Sequence, residues 1–252
     1  MSRKAIALGL GIVLLAGGIG TLLVALLRHE SDWYLHCHIP EGPERKMESG
    51  KFQSEFATLY TQHDFSTTFT ALCINSYFEE DFVKSGVADR VLPKGISEPR
   101  VAIEPDKIRL AFRYGTGPWS TIVSIDMRVW LPKKDKERNV VALELQSLHA
   151  GSLPISAQSL LEQVSEAARQ NNIEVTWYRH KGNPVALLRF QRADRSSAAV
   201  QLQQLEVGDG YIVIRGRSTA NTGLQTMAPM FNGVAQLSSN LENRHGMKAL
   251  SR

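Results

Sequence analysis

The chain has 252 residues, 43% of them hydrophobic, with 29 Lys and Arg against 25 Asp and Glu for a formal charge of +4. That is enough apolar material for a packed core, which excludes a disordered polypeptide. The basic residues alternate with acidic ones along the chain, so the basic stripe that a nucleic-acid partner requires is missing.

The first pattern in chain order is Ala5 to Leu27, AIALGLGIVLLAGGIGTLLVALL, which carries no charge. As one helix it would extend roughly 35 Å, against a hydrocarbon core of about 30 Å, so the sequence predicts a transmembrane helix over 5–27. Arg3 and Lys4 precede it, while Glu30, Asp32, Glu41 and Glu44 follow Arg28. This bias predicts a cytoplasmic N-terminus (1–4) and a C-terminal body on the periplasmic or extracellular side of the cell (inner) membrane. VALLRHE offers no small-x-small cleavage site and no lipobox cysteine closes the run, so an anchor is expected in place of a cleaved signal peptide. Trp33 and Tyr34 would then be interfacial anchors.

Residues 28–50 have no periodicity and read as a juxtamembrane linker, followed by an α+β ectodomain over 51–220 and a tail over 221–252. Phe52, Phe56, Leu59 and Tyr60 share one helical face, and Phe69, Leu72, Cys73, Phe78 and Phe82 continue the rhythm, which predicts two short helices. Cys37 and Cys73 are the two cysteines; they could pair in an oxidising compartment, although Cys73 sits in an apolar run as a small hydrophobe would.

From Pro99 the period becomes two. KIRLAFRY alternates Ile108, Leu110, Phe112 and Tyr114 with Lys107, Arg109 and Arg113, and Pro105-Asp106 supplies a turn before it. STIVSIDMRVWL and NVVALELQSL form a second strand pair across a charged loop. Ser156 is a natural N-cap for a helix over 157–170, whose Leu160, Leu161, Val164, Ala167 and Ala168 fall along one stripe. Two more hairpins follow, IEVTWYR with PVALLRF and VQLQQLEV with YIVIRGR. The expected fold is therefore α+β, with a largely antiparallel, curved sheet of about eight strands packed on helices. In the tail, Met227, Met230, Phe231 and Val234 keep a helical rhythm that Pro229 and Gly233 interrupt.

No catalytic constellation emerges from these elements. His149 and Ser152 lack a third group and a nucleophile elbow, so His149 is expected at a strand end. His36-Cys37-His38 has ligand-type side chains, but neighbours alternate sides and no second cluster completes a zinc site. Gly115 to Ser120 leads into a strand, so it reads as a tight bend and not as a phosphate cradle. No metal or cofactor is predicted.

What remains is apolar surface. Leu110, Phe112, Met127, Val129, Leu143 and Leu145 lie on the predicted sheet, with Leu161 and Val164 on the helix laid along it. Such a layer either closes as an ordinary two-layer core or leaves a groove that accepts an acyl chain.

The order of a membrane anchor, a helix bearing INSYF at Ile74–Phe78, strand hairpins, the turn HAGSLPIS at 149–156, a helix and further hairpins resembles the YpmS-like family of single-pass bacterial envelope proteins. The likeness covers about residues 65–192 and stops before the hairpin at 198–217. It implies a half-barrel in which a sheet wraps a helix, exported, tethered to a membrane, non-enzymatic and with affinity for lipid. The function expected is binding or handling of a lipid or other apolar ligand; the alternative is an envelope scaffold that docks a protein partner.

Overall fold

The computed structural model describes residues 18–88, 92, 94–132, 140–158, 161, 162, 165, 166, 169, 173–189 and 200–218. The expected spanning helix is not supported. Helix α1 is described from residue 18 to residue 27, a rise of about 15 Å or half a hydrocarbon core. Among the described residues, no helix is long and apolar enough to cross a membrane. Residues 5–17 and the tail 221–252 lie outside the described residues.

The segment read as a linker is structured. It holds α2 (Asp32–His36) and the first part of α3 (Pro43–Thr61), which begins on a proline whose missing N–H costs nothing at that position. Phe69 belongs to a strand and not to a helix. In β1 (Asp64–Thr70) Phe65, Thr67 and Phe69 turn inward on alternate residues, and the chain then enters α4 (Ala71–Tyr77), which runs into a π-helical turn over Phe78–Phe82. The switch is made by a capping box: Thr70 Oγ1 accepts the Cys73 N–H at 3.1 Å, and Cys73 Sγ accepts the Thr70 N–H at 3.2 Å. Phe52 of α3 stacks on Tyr77 with ring centroids 4.6 Å apart and meets Phe69 at 5.3 Å, so α3, β1 and α4 share one aromatic core.

The strands form two sheets in place of one eight-stranded sheet. In the first, the path is β2 (Ile96–Glu104), β3 (Lys107–Tyr114), β4 (Thr121–Trp130), β5 (Val140–Ala150), β8 (Asn183–Arg189) and β7 (Glu174–His180), with the short β6 (Leu153–Pro154) folded back on β5. All of its pairings are antiparallel. In the second, β9 (Val200–Val207) and β10 (Tyr211–Ser218) are completed by β1 from far upstream, with Asp64 opposite Arg217. Backbone bonds join the two sheets: Gly210 N–H donates to Ile103 O at 3.0 Å and Asp106 N–H to Val207 O at 3.2 Å.

The outer edge of β2 is met by a side chain. Asn75, 2% exposed, donates from Nδ2 to Val101 O at 2.7 Å and accepts the Val101 N–H on Oδ1 at 2.8 Å. Its amide takes the place of a further strand's peptide group, which accounts for the asparagine in INSYF.

Candidate functional site: the half-covered apolar face

Register puts the expected apolar residues on one face of the larger sheet. Leu110 lies opposite Ile125 and Ile125 opposite Leu148, while Met127 pairs with Leu145 and Val129 with Leu143. Ile125, Leu145 and Leu148 are buried, with Leu110, Phe112, Val123 and Met127 packed around them and only partly buried. Helix α5, described at residues 158, 161, 162, 165, 166 and 169, lies against this cluster through Leu161, and Ala157 just before it touches the cluster too. Ser156 Oγ accepts the Gln158 N–H at 3.3 Å at the start of α5, and Trp177 Nε1 of β7 donates to Ser165 Oγ at 2.8 Å farther along it. Of the eight residues singled out from sequence, Leu110, Phe112, Met127, Leu145 and Leu161 therefore meet. Val129 and Leu143 continue the face half-buried, and Val164, with Leu160, Ala167 and Ala168, lies outside the described residues. At the end of β4 a cleft of about 520 Å³ opens between Trp130 and Leu131 on one side and Gln203, Gln204 and Leu205 of β9 on the other.

The opposite face of the sheet is closed by the segment that follows α1. Tyr34 is fully buried against Ala111 and Ile122. Its hydroxyl donates to Glu98 O at 3.0 Å, the Arg100 guanidinium lies 4.3 Å over its ring, and Arg100 donates to Tyr34 O at 2.9 Å. Burial pushes the Tyr34 phenol well above its usual range. Trp33 lies 5.3 Å beneath the Arg109 guanidinium, and Arg113 pairs with Glu30 at 2.8 Å. Thus Trp33 and Tyr34 pack on protein; the interfacial-anchor expectation for them fails because strand arginines draw both rings onto the sheet.

Farther along, Arg45 binds Glu80 at 2.8 Å and Lys84 binds it at 2.6 Å, while His38, Arg45 and Arg100 all lie within 3.6 Å of Glu79. The hydrogen bond from Lys84 holds the Glu80 carboxyl below the usual carboxylate range against the opposing effect of burial, and Arg45 adds to it.

The turn at 149–156 is a socket. Ser152 N–H donates to Leu26 O at 2.9 Å, Thr121 Oγ1 donates to Leu27 O, and an Arg28 guanidinium nitrogen donates to Pro118 O at 2.7 Å. The first two satisfy carbonyls left open at the end of α1, and the third ties the residue after it to the 115–120 bend. Gly151 has φ +59, and a Cβ there would lie 2.5 Å from Leu27 O and closer still to Leu26 O. Only glycine fits the turn on both counts. His149 is half-buried in β5 between Ser124 and Pro154, and Ser152 contributes its backbone. This role was not legible in the sequence, because the two partners stand more than a hundred residues apart; the Gly-Ser pair was the one local sign.

His36, Cys37 and His38 take three separate partners: Asp32 O at 2.6 Å, Val101 O at 3.5 Å and Glu79 at 3.0 Å. Among the described residues no group of three or more His, Cys, Asp or Glu is placed to hold a metal ion. Both cysteines are free, and burial pushes the Cys37 thiol up, away from a reactive thiolate. Gly115 to Ser120 is a tight bend with a 3₁₀ turn over Gly117–Trp119. No family model, curated protein or solved structure matches this chain.

Proposed function

We propose that this protein binds an apolar ligand of the acyl-chain type on the β3–β5 face beside α5, without catalysing a reaction. The observation that carries the reading is the partial burial of Leu110, Phe112 and Met127 within a cluster that already has a helix laid against it. Full burial of one large apolar side chain contributes about 1.5–3 kcal/mol, and a finished core collects that contribution at each such position. Here part of it is left uncollected along a continuous row that runs on through Val129 and Leu143. A ligand with methylene groups and no polar middle completes the burial without asking for hydrogen bonds. An envelope location is part of the proposal and rests on the resemblance to the YpmS-like family.

Native mass spectrometry of the full chain, stripped and then exposed to mixed phospholipids and fatty acids, tests the reading. Retention of one lipid species, lost in Met127→Asp with circular dichroism unchanged, is the expected result. If the native chain retains no lipid, the face is core or a protein dock and the reading fails. Should Met127→Asp unfold, Leu143→Gln at the half-buried end of the row takes its place.

A further inference from the structure

The end of the molecule that receives α1 carries a rim of exposed apolar side chains that the ligand reading does not use. Trp119 is 82% exposed, the most exposed of the large hydrophobic residues described, and Tyr114, Ile155 and Leu27 are also exposed. They belong together by backbone geometry: Leu27 is held by Thr121, Arg28 by Pro118, and the Gly151-Ser152 turn grips Leu26 two residues before β6 leads to Ile155. Trp119 is not a loose loop residue. Its N–H donates to Thr116 O at 3.3 Å, and Gly115, at φ +99, lets the bend fold so tightly that a Cβ there would lie 2.7 Å from Trp119 O. The fold therefore holds a large amphipathic ring out into solvent.

We propose that this rim rests in the interfacial layer of a phospholipid membrane. Three features favour a lipid surface as the occupant. The rim combines an indole, a phenol and aliphatic side chains with the exposed Arg28, the mix that suits a zone apolar on one side and anionic and wet on the other. Helix α1 exposes Ile19, Leu22, Leu23 and Val24 as it approaches the rim. The sequence that leads into it, residues 5–17, is uncharged and apolar, so chain of lipid-compatible chemistry leads into this end. Interfacial contact needs a rim only a few ångströms deep and no spanning element. The contact also has a geometric consequence. Phe112, Val123 and Ala150 form the register row next to the 115–120 bend and the 151–152 turn, so the apolar face runs up to the rim.

The test uses the full chain reconstituted with phosphatidylcholine and phosphatidylglycerol vesicles containing brominated acyl chains. Bromines near the headgroup should quench part of the tryptophan emission more strongly than bromines near the terminal methyl. That quenchable part should vanish in Trp119→Phe, a substitution at an exposed site that leaves folding alone. Quenching that persists in Trp119→Phe, or that is absent in the native chain, overturns the proposal. Lipid retention by the stripped protein and quenching at the rim are separate readouts, so the ligand reading and the membrane contact fail independently.

Discussion

The two faces of the larger sheet are covered by different means. On one, the segment from Leu26 to His38 is fastened by Arg100, Arg109 and Arg113 and sealed by the buried Tyr34. On the other, α5 touches a cluster whose Leu110, Phe112 and Met127 stay only partly buried. Directional bonds have closed the first face, whereas the second has one such bond, from Trp177 to Ser165, and otherwise rests on non-directional contact that tolerates incomplete cover. Stability should therefore reside on the first face and ligand response on the second.

The strongest way to break this contrast is Tyr34→Ala. It opens a cavity in the sealed face and strips Arg100 of its ring and its neighbour, and should cost about 4 kcal/mol in urea unfolding of the full chain. Tyr34→Phe, which loses only the hydroxyl's bonding to Glu98, should cost about 1 kcal/mol. If both variants unfold with the native midpoint, the sealed face is not where stability lies.

Gly151→Val comes next. It combines a disfavoured φ with a collision against the end of α1, and should cost about 3 kcal/mol. It should also speed amide exchange at Ser152, because the bond to Leu26 O is lost. Exchange unchanged at that amide would mean the socket does not hold the helix.

Met127→Ala should cost about 1 kcal/mol, less than a fully buried truncation, since the side chain is already partly exposed. Its larger effect should be on lipid retention by native mass spectrometry. A loss of stability equal to that of Tyr34→Ala with lipid retention intact would reverse the assignment of the two faces.

The smallest effect is one of slope. Glu80 is ionised in the fold below its ordinary range, so the stability it contributes is complete above the ordinary glutamate pKa of about 4.3 and is lost as pH falls through the lowered value. Its surroundings are Arg45, Lys84, Glu41, Glu79 and Asp81, with Arg100 and His38 reaching Glu79. Stability of the native chain should decline on acidification in this window, and Glu80→Gln should show a shallower decline. Equal slopes would remove Glu80 from the acid response.

Much of the fold was legible because its strands carry strict alternation. KIRLAFRY and STIVSIDMRVWL each separate an apolar row from a polar one, and the register keeps those rows apart, but the polar side is covered too, and NVVALELQSL is buried on both faces with a shift in register opposite Asp126 and Met127. The β1 strand was missed although Phe65, Thr67 and Phe69 alternate, because Phe69 also continues the helical spacing of Leu72 and Cys73, and the capping box that separates them uses a cysteine. The division into two sheets was hidden for another reason: β10 finds its partner at Asp64–Thr70, at the other end of the chain. Residues 28–50 lack periodicity because they bind through single side chains placed one by one, as with Glu30, Trp33, Tyr34 and His38. The apolar face was readable as a set of residues, but their half-burial was not, since that depends on how far α5 covers them.

Asn75 gives the sheet a terminus. An antiparallel array with an open border invites a copy of itself to continue the ladder, and at Val101 that invitation is withdrawn by one carboxamide that mimics a peptide unit and then ends. Replacing it with leucine would leave the Val101 N–H unpaired in a buried border, so the variant's characteristic failure would be loss of stability.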